Sequence, residues 1–400
     1  NNHQLNNGSF AVLYRTNAQS RSIEDALRKI NIDYQVFGGL SFYQRKEIKD
    51  VTAYLRLVVN SNDEESFRRI VNFPPRGIGL KTLEKLLIIS ERENISMYDS
   101  INIIDKYPKL FNKGLMGRIT DFRNLIESLK IESKTKNADY VLTNVINGSG
   151  IIDFYRNEGS VESINRIENI EELRSGINDF ILEQKELADG DTSITRYLQD
   201  ISLYSETDKS FSSDRVSLMT IHMAKGLEFN VVYVVGIEEN LFPSILSLNS
   251  SEDLEEERRL FYVAMTRAKD KLILSHCDFR FKWGNIIECE PSRFIEEVDL
   301  AYIEKNNFKE EFKPTIDNNI SRIRKLRKRG FVNVNKVDNN NLPIVNIVVN
   351  DIVEHQRFGL GLVEKIEGDI QNKKATINFK IGGRKTILLK FAKLKIKKGT

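Results

Sequence analysis

Apolar residues follow two different spacings along this chain. Strand-like runs separated by helical stretches dominate both flanks of a long central region, at residues 10–14, 34–37, 216–220, 231–235 and 272–275. Helical stretches stand at 20–30 and 253–266, and alternation of strands with helices predicts a parallel sheet covered on both faces. The central region has only helical spacing, at residues 47–59, 80–93, 116–131 and 161–178.

These spacings predict the domain organisation. Residues 1–37 and 214–300 form one α/β domain, which a helical insertion at residues 38–213 interrupts. Residues 301–345 are polar and charged without an apolar period, which predicts a flexible basic linker. Residues 346–400 contain short alternating stretches between glycine turns, as in a small β-barrel.

Overall composition restricts the function only weakly. The chain has 400 residues, 29% of them charged, and a formal net charge of +3, which neither requires nor excludes a nucleic-acid partner. The basic run at residues 322–329 fits a solvated linker and non-specific phosphate attraction equally well. The longest strongly apolar run, residues 231–237, is far too short to cross a bilayer, so no membrane partner is expected.

The two cysteines give little support to a metal centre. Cys277 and Cys289 argue against a disulfide framework and fit a reducing cytosol. Together with His276 they are three candidate zinc ligands without a paired Cys-x-x-Cys motif. No metal site is therefore predicted in this chain.

Two short stretches contain most of the side chains that could bind a ligand or take part in catalysis. The first contains His222, Lys225, Gly226 and Glu228, and the second, residues 256–268, contains Arg267. Ligands of open α/β sheets collect at the carboxyl ends of the strands, so these side chains predict an anion site there. Taken singly, Lys225-Gly226 also fits an ordinary loop. Arg267 could cap a helix dipole, which is a structural role, or act as an arginine finger on a phosphate, which is a functional one. The chain contains no Gly-x-x-x-x-Gly-Lys-Ser/Thr phosphate loop.

The two stretches resemble motifs V and VI of superfamily 1 helicases of the UvrD/Rep/PcrA group. Residues 13–21, 38–50 and 75–79 resemble further blocks of that group in the same order. Residues 354–361 resemble part of its Tudor-like C-terminal domain, with the PcrA branch as the nearest match. The resemblance implies a second RecA-like domain, a 2B-type helical insertion and a Tudor-like β-barrel.

The resemblance assigns nucleotide roles to two residues. Glu228 matches the carboxylate that holds the ribose of ATP, and Arg267 matches the catalytic arginine on the γ-phosphate. The phosphate loop and the acidic residues that bind Mg²⁺ lie upstream of residue 1 in that pattern. We therefore expect the chain, which starts at Asn1 without a Met, to be the C-terminal portion of a longer enzyme and to be inactive alone.

The resemblance also assigns DNA contacts. Arg15 and Asn17 match positions that contact single-stranded DNA, while His222 and Lys225 match residues that link the strand to the nucleotide site. Trp283 matches an aromatic residue on which a base stacks, and its alternative is a half-buried surface anchor.

A glycine-rich turn is the candidate duplex contact. Gly77, Ile78 and Gly79 precede a predicted helix, and exposed N–H groups at a helix N-terminus bind phosphate. The resemblance implies that this loop grips the duplex ahead of the fork, with Thr82 at a position whose hydroxyl can add a contact. A tight turn followed by a helix cap is the alternative.

The function that the resemblance implies is ATP-driven, 3′ to 5′ DNA unwinding in the bacterial cytoplasm, at the nucleoid. Its implied partners are single-stranded DNA, junctions of single- and double-stranded DNA, and RNA polymerase through the C-terminal domain. Two alternatives remain: a RecB/AddA-type subunit, which needs a C-terminal nuclease domain, and a non-catalytic module that binds DNA and RNA polymerase.

Overall fold

The computed structural model describes most of the chain. The described residues are 5–207, 214–282, 285–304, 347–355, 358–368, 373–380, 383–389 and 394–397. Trp283, the basic run at 322–329 and most of the predicted linker lie outside them. Within these ranges, no helix combines the length and the apolar character needed to cross a membrane.

A parallel sheet joins the two ends of the α/β region. Its five strands are β1 (Phe10–Tyr14), β2 (Tyr34–Val36), β3 (Val216–Thr220), β4 (Phe229–Val235) and β5 (Ala268–Ser275), in the order β2-β3-β1-β4-β5. In β1, Leu13 lies beside Met219 of β3 on one side and Val234 of β4 on the other. The early strand is therefore central in the sheet, which confirms the predicted α/β class.

Helices fill the region between β2 and β3 and flank it. After α1 (Ser20–Lys29) they are α2 (Lys46–Val59), α3 (Glu64–Ile70), α4 (Leu80–Glu93), α5 (Met97–Ser100), α6 (Lys113–Ser133), α7 (Ala138–Ser149), α8 (Ile151–Glu158), α9 (Val161–Glu186) and α10 (Ile194–Thr207). Most of α2 is buried, and its Tyr54 belongs to one apolar core together with Phe67, Tyr98 and Phe122. The insertion is therefore a helical bundle with its own core.

Helix α9 continues to Glu186, so the predicted end at residue 178 is wrong. Gly176 does not end the helix because it lies against α1: an added Cβ there would stand 2.9 Å from Nη1 of Arg21. Nε of Arg21 donates to Glu172 on α9 at 2.8 Å, and the apolar side chains Phe180 and Ile181 continue the buried stripe. A contact between the α/β domain and the insertion thus holds the helix where the local sequence suggested a stop.

The two faces of the parallel sheet pack against different helices. Alternate residues of a strand point to opposite faces. Ala11 and Leu13 pack on the side of α11 (Ser251–Met265), which contributes Leu260 and Phe261. Tyr14 packs on the other side, in a cluster that includes apolar residues of α1. A short helix, α12 (Arg293–Glu296), follows the hairpin of β6 (Phe279–Lys282) and β7 (Asn285–Glu288), which the sequence patterns did not predict.

The C-terminal segment forms a five-stranded antiparallel sheet. Its strands β8 (Ile352–His355), β9 (Gly359–Glu367), β10 (Lys374–Phe379), β11 (Gly383–Leu388) and β12 (Leu394–Lys397) have the order β11-β10-β9-β8-β12. Gly361 permits close packing, since a Cβ there would approach side-chain carbons of Ile377 and Phe379 to 2.6 Å.

This sheet contacts the insertion directly after α9. Leu187 forms an antiparallel bridge with Ile387 of β11, and the N–H of Ala188 donates to the carbonyl of Thr386 at 3.0 Å. Nε2 of the buried His355 lies 3.3 Å from a carboxylate oxygen of Glu186. Residues 187–188 thus extend the edge of β11.

Candidate nucleotide and nucleic-acid site

The connection between β3 and β4 runs across the whole sheet. Thr220 at the end of β3 lies beside Tyr14, whereas Val231 in β4 lies beside Phe10. Since Phe10 and Tyr14 are the two ends of β1, residues 221–228 travel about 13 Å along the strand direction. A short 3-10 helix, Ile221–Ala224, makes the first part of this crossing with both terminal side chains buried. The connection therefore begins at the carboxyl edge of the sheet and ends at the amino edge.

The predicted site residues are divided between these two edges. His222 follows β3 at the carboxyl edge, whereas Glu228 and Arg267 directly precede β4 and β5 at the amino edge. Lys225 lies between the two groups in the crossing segment. The prediction that all four stand at carboxyl ends is wrong, because two of them precede parallel strands instead of following them.

Arg267 joins the two motif stretches at the amino edge. Its Nη1 donates to the carbonyl of Leu227 at 2.9 Å, and its Nε donates to the carbonyl of Val263 at 3.0 Å. The N–H of Phe229 in turn donates to the carbonyl of Arg267 at 2.9 Å. These bonds place the guanidinium beside the segment that carries Glu228.

Helix α11 ends at Met265, one residue before the predicted end at residue 266. The N–H of Thr266 donates to the carbonyl of Tyr262, and its hydroxyl donates to the same carbonyl at 3.1 Å. The chain then turns so that Ala268 can pair with Phe229 at the start of β5. Strand pairing therefore takes Arg267 out of the helix and into the turn.

Glu228 is well exposed next to this arginine. Its side chain retains 60% of its accessible surface, and Oε2 lies 3.7 Å from Nζ of Lys269. Gly226 allows the turn before it, with a φ of +86° that side chains rarely adopt. An exposed carboxylate and a fixed guanidinium at one sheet edge can hold hydroxyl groups and an anionic group together.

At the carboxyl edge, Arg15 is paired with a carboxylate that sequence patterns did not single out. Its Nε lies 3.0 Å from both carboxylate oxygens of Glu257, and its Nη2 lies 2.6 Å from Oε1. Glu257 is on α11 and also accepts the N–H of Ser244 at 3.2 Å. The charged helix offered several equivalent acidic residues, so only its orientation in the fold identifies Glu257.

Asn17, His222 and Lys225 are exposed. Asn17 lies two residues after Arg15, and His222 is close enough to feel the charge of Arg15. Asn17 begins a 3-10 helix, and its carbonyl accepts Nη1 of Arg45 at 2.8 Å. Crowding by protein atoms and then the charge of Arg15 lower the pKa of His222, so the free imidazole is mainly neutral near pH 7. The edge thus offers cationic and neutral donors to an anionic chain.

The glycine turn of the insertion is rigid. Gly77 has a φ of +71°, and a Cβ there would meet Nε of Arg118 at 3.2 Å. The side-chain oxygen of Asn72 accepts the N–H groups of Arg76 at 2.9 Å and Ile78 at 3.0 Å. Ile78 is fully buried, so its N–H is not an exposed phosphate donor as the sequence suggested.

The helix that follows this turn exposes a different set of groups from the one expected. Gly79 is the N-cap of α4, and Leu80 and Lys81 behind it are exposed. Thr82 is only 7% exposed, which restricts a ligand's access to its hydroxyl. The two glycines, Leu80 and Lys81 therefore form the accessible part of the turn and of the helix start.

The fold brings both cysteines together with a glutamate, and leaves His276 out of the group. The thiol of Cys277 lies 3.1 Å from Oε1 of Glu238, whose carboxylate also binds Nη2 of Arg280 at 2.8 Å. Burial, followed by this hydrogen bond, raises the pKa of Cys277 to about 12. The cluster is a polar network that ties the base of the β6–β7 hairpin to the sheet.

Comparison with known proteins extends these observations. The family model of the UvrD-like helicase C-terminal domain matches residues 1–278, and that of the PcrA/UvrD tudor domain matches residues 349–396. The ATP-dependent DNA helicase PcrA of Staphylococcus aureus strain Mu50 is 35% identical over 404 residues, which cover 99% of this chain and 53% of that protein. Its counterpart in Staphylococcus epidermidis strain ATCC 12228 is 35% identical over 391 residues, covering 96% and 51%.

These matches agree with the described architecture. The chain spans about half the length of the curated relatives it matches. The first family model covers the parallel sheet together with the helical insertion, and the second covers the antiparallel sheet. The chain therefore belongs to the UvrD-like helicase C-terminal domain family and carries a PcrA/UvrD tudor domain at its C-terminal end.

Proposed function

We propose that this chain is the C-terminal part of an ATP-dependent DNA helicase that moves 3′ to 5′ along single-stranded DNA. It supplies one wall of the ATP cleft and half of the DNA track. The observation that carries the proposal is the crossing of residues 221–228, which links the edge with Arg15 and His222 to the edge with Glu228 and Arg267.

The amino edge is the proposed ATP wall. The Glu228 carboxylate accepts hydrogen bonds from the ribose, and Arg267 donates to the γ-phosphate, where it stabilises the charge of the transition state. A guanidinium has five N–H donors, and the described contacts of Arg267 use three of them. Mg²⁺ would be held by acidic residues of a phosphate-loop domain, whose motif this sequence does not contain.

The carboxyl edge is the proposed track for single-stranded DNA. Arg15, Lys225 and the amide of Asn17 contact phosphates, and His222, at the start of the crossing segment, links the DNA strand to the nucleotide edge. Trp283, which lies outside the described residues, stacks on a base in this proposal. Stacking and phosphate contacts tolerate any DNA sequence, as a translocating enzyme requires.

Two further surfaces complete the proposal. The turn with Gly77, Ile78, Gly79 and Thr82 holds the duplex ahead of a junction, mainly through its exposed glycines and Lys81. The tudor sheet docks on RNA polymerase, which places the enzyme at the bacterial nucleoid. The RecB/AddA-type alternative requires a nuclease domain in the C-terminal region. Residues 349–396 match a tudor domain instead, which argues against this alternative.

The purified 400-residue chain provides a direct test. We expect it to bind a single-stranded oligonucleotide with salt-sensitive affinity and to show no steady ATP hydrolysis, since the described part offers only one wall of the cleft. Fluorescence anisotropy and a phosphate-release assay measure the two properties. Steady ATP turnover contradicts the assigned wall, and absence of single-strand binding contradicts the assigned track. Deletion of residues 346–400 should remove polymerase binding and leave DNA binding unchanged.

DNA affinity is expected to depend on pH through His222. Its pKa is lowered in the free chain, so a nearby phosphate raises it again and binding takes up a proton. Affinity should therefore rise as pH falls from about 7.5 to about 5.5, by at most about tenfold per pH unit. His222→Asn should flatten the profile in anisotropy titrations. His276→Asn is the control: His276 follows β5 at the edge of the sheet, and its replacement should leave the pH dependence unchanged. If the affinity of the wild-type chain does not change with pH, the assignment of His222 is contradicted.

A further inference from the structure

The Arg15 side chain is already occupied by a carboxylate in this conformation. Three N–H···O contacts of 2.6–3.0 Å join its Nε and Nη2 to Glu257. Glu257 retains only 6% of its side-chain surface, compared with 22% for Arg15. The pair is therefore largely shielded from solvent on the carboxylate side, and the arginine is its more accessible member.

A DNA phosphate and the Glu257 carboxylate compete for the same donors. A guanidinium binds either anion most strongly through two parallel N–H groups, and here the edge formed by Nε and Nη2 faces Glu257. Only the remaining N–H groups of Arg15 are left for a second anion. As long as the pair is closed, Arg15 holds a phosphate less tightly than a free arginine does.

The same helix carries Glu257 and contacts the nucleotide wall. Toward the end of α11, the carbonyl of Val263 accepts Nε of Arg267 at 3.0 Å. Glu257 and Val263 are six positions apart in the helix, about 9 Å of nearly rigid structure. Movement of the Arg267 end therefore displaces the carboxylate that holds Arg15.

We propose that Glu257 is a positioning residue that controls the availability of Arg15: it holds the guanidinium while α11 has its present position and releases it to a DNA phosphate when α11 moves. This inference rests on the proposed function, in which Arg15 contacts single-stranded DNA. The inference adds the Glu257 carboxylate, through which α11 connects Arg15 at the carboxyl edge to Arg267 at the amino edge.

The neighbouring histidine belongs to the same electrostatic group. The charge of Arg15 lowers the pKa of His222, whereas the charges of Glu257 and Glu256 raise it. Release of Arg15 toward a phosphate therefore changes the field at His222 as well. The three side chains respond together although they come from β1, the crossing segment and α11.

Glu257→Gln in the 400-residue chain tests the inference. The amide keeps the size of the side chain and an acceptor for the N–H of Ser244, but it loses the charge that competes for Arg15. Binding to an oligothymidine should become about 3- to 10-fold tighter, and the slope of log affinity against log salt should steepen by about 0.7, one additional phosphate contact. Arg15→Ala in the Glu257→Gln background should abolish the gain.

Glu256→Gln is the matched control. It removes the same charge from the adjacent residue, whose carboxylate is exposed and pairs with Arg259. We expect a gain below about twofold that Arg15→Ala does not abolish, since exposed pairs contribute little. A thermal melt checks folding, and Glu257→Asp, which keeps the charge on a shorter side chain, should give an intermediate affinity if Glu257→Gln is unstable.

The outcomes separate the inference from the proposed function. If Arg15→Ala weakens binding but both Glu257 variants leave affinity and salt slope unchanged, the control by Glu257 is refuted and the DNA track stands. If Arg15→Ala has no effect in any background, the assignment of Arg15 to the track fails first.

Discussion

Arg267→Ala is expected to reduce DNA-stimulated ATP hydrolysis by about 10³- to 10⁵-fold in a protein that carries this chain with its phosphate-loop domain. Bonds to Leu227, Val263 and Thr266 fix the guanidinium and leave two N–H groups for a phosphate. Their loss removes stabilisation that exists only in the transition state, so kcat should fall while single-strand affinity changes little. Steady-state ATPase assays at saturating oligonucleotide, with anisotropy titrations, measure both quantities.

Arg259→Ala is the control for this prediction. Arg259 lies on α11, the helix that precedes Arg267; it is exposed and pairs with Glu256, so its removal should leave kcat within about twofold. Arg267→Lys keeps the charge but lacks the planar fork, and it should recover only part of the activity. An unchanged kcat in Arg267→Ala would exclude this residue as the γ-phosphate arginine.

Arg76→Ala is expected to destabilise the insertion by about 2 kcal/mol, since it breaks a partly buried hydrogen-bond network around a charged donor. The guanidinium donates to the Tyr54 hydroxyl at 2.7 Å and to the carbonyls of Ile70 at 3.1 Å and Ser149 at 3.0 Å. These bonds fix the turn that presents Gly77 and Gly79. Thermal and denaturant unfolding measure stability, and binding to a junction of single- and double-stranded DNA should be lost together with the fixed turn.

Lys81→Ala separates the two effects of Arg76. Lys81 is exposed in the same turn, so its removal should weaken junction binding while leaving the unfolding midpoint unchanged. Wild-type stability of Arg76→Ala would show that the network contributes little. A junction affinity unaffected by both variants would refute the proposed duplex contact.

The regular elements were predictable where one periodicity dominates. Strands β1 and β3 and helix α4 begin and end at the predicted residues. The end of α9 was mispredicted because Gly176 serves a close contact with Arg21, and a glycine within a helical pattern usually suggests a weak point. The four-residue strands of the β6–β7 hairpin were not predicted, although β2, with three residues, was.

The candidate site shows the same division between sequence and structure. Its residue types could be identified from the motif stretches, since a lysine, a histidine, a glutamate and an arginine stood in strings with a known family resemblance. Their grouping could not, because position before or after a parallel strand decides which edge a residue occupies. Glu257 stayed unrecognised because neighbouring acidic residues on α11 are alike in sequence and differ only in the face they present.

The sequence by itself determined the class of fold, the interrupted α/β domain and the chemical groups of the candidate site, because periodicity and motif spacing are local properties. The tertiary structure alone decided that residues 221–228 cross the sheet, that Arg267 leaves its helix to bond Leu227, and that Arg15 is held by Glu257. These contacts join residues up to 242 positions apart. They depend on strand register and on helix orientation, which packing of the whole core fixes and which no local stretch encodes.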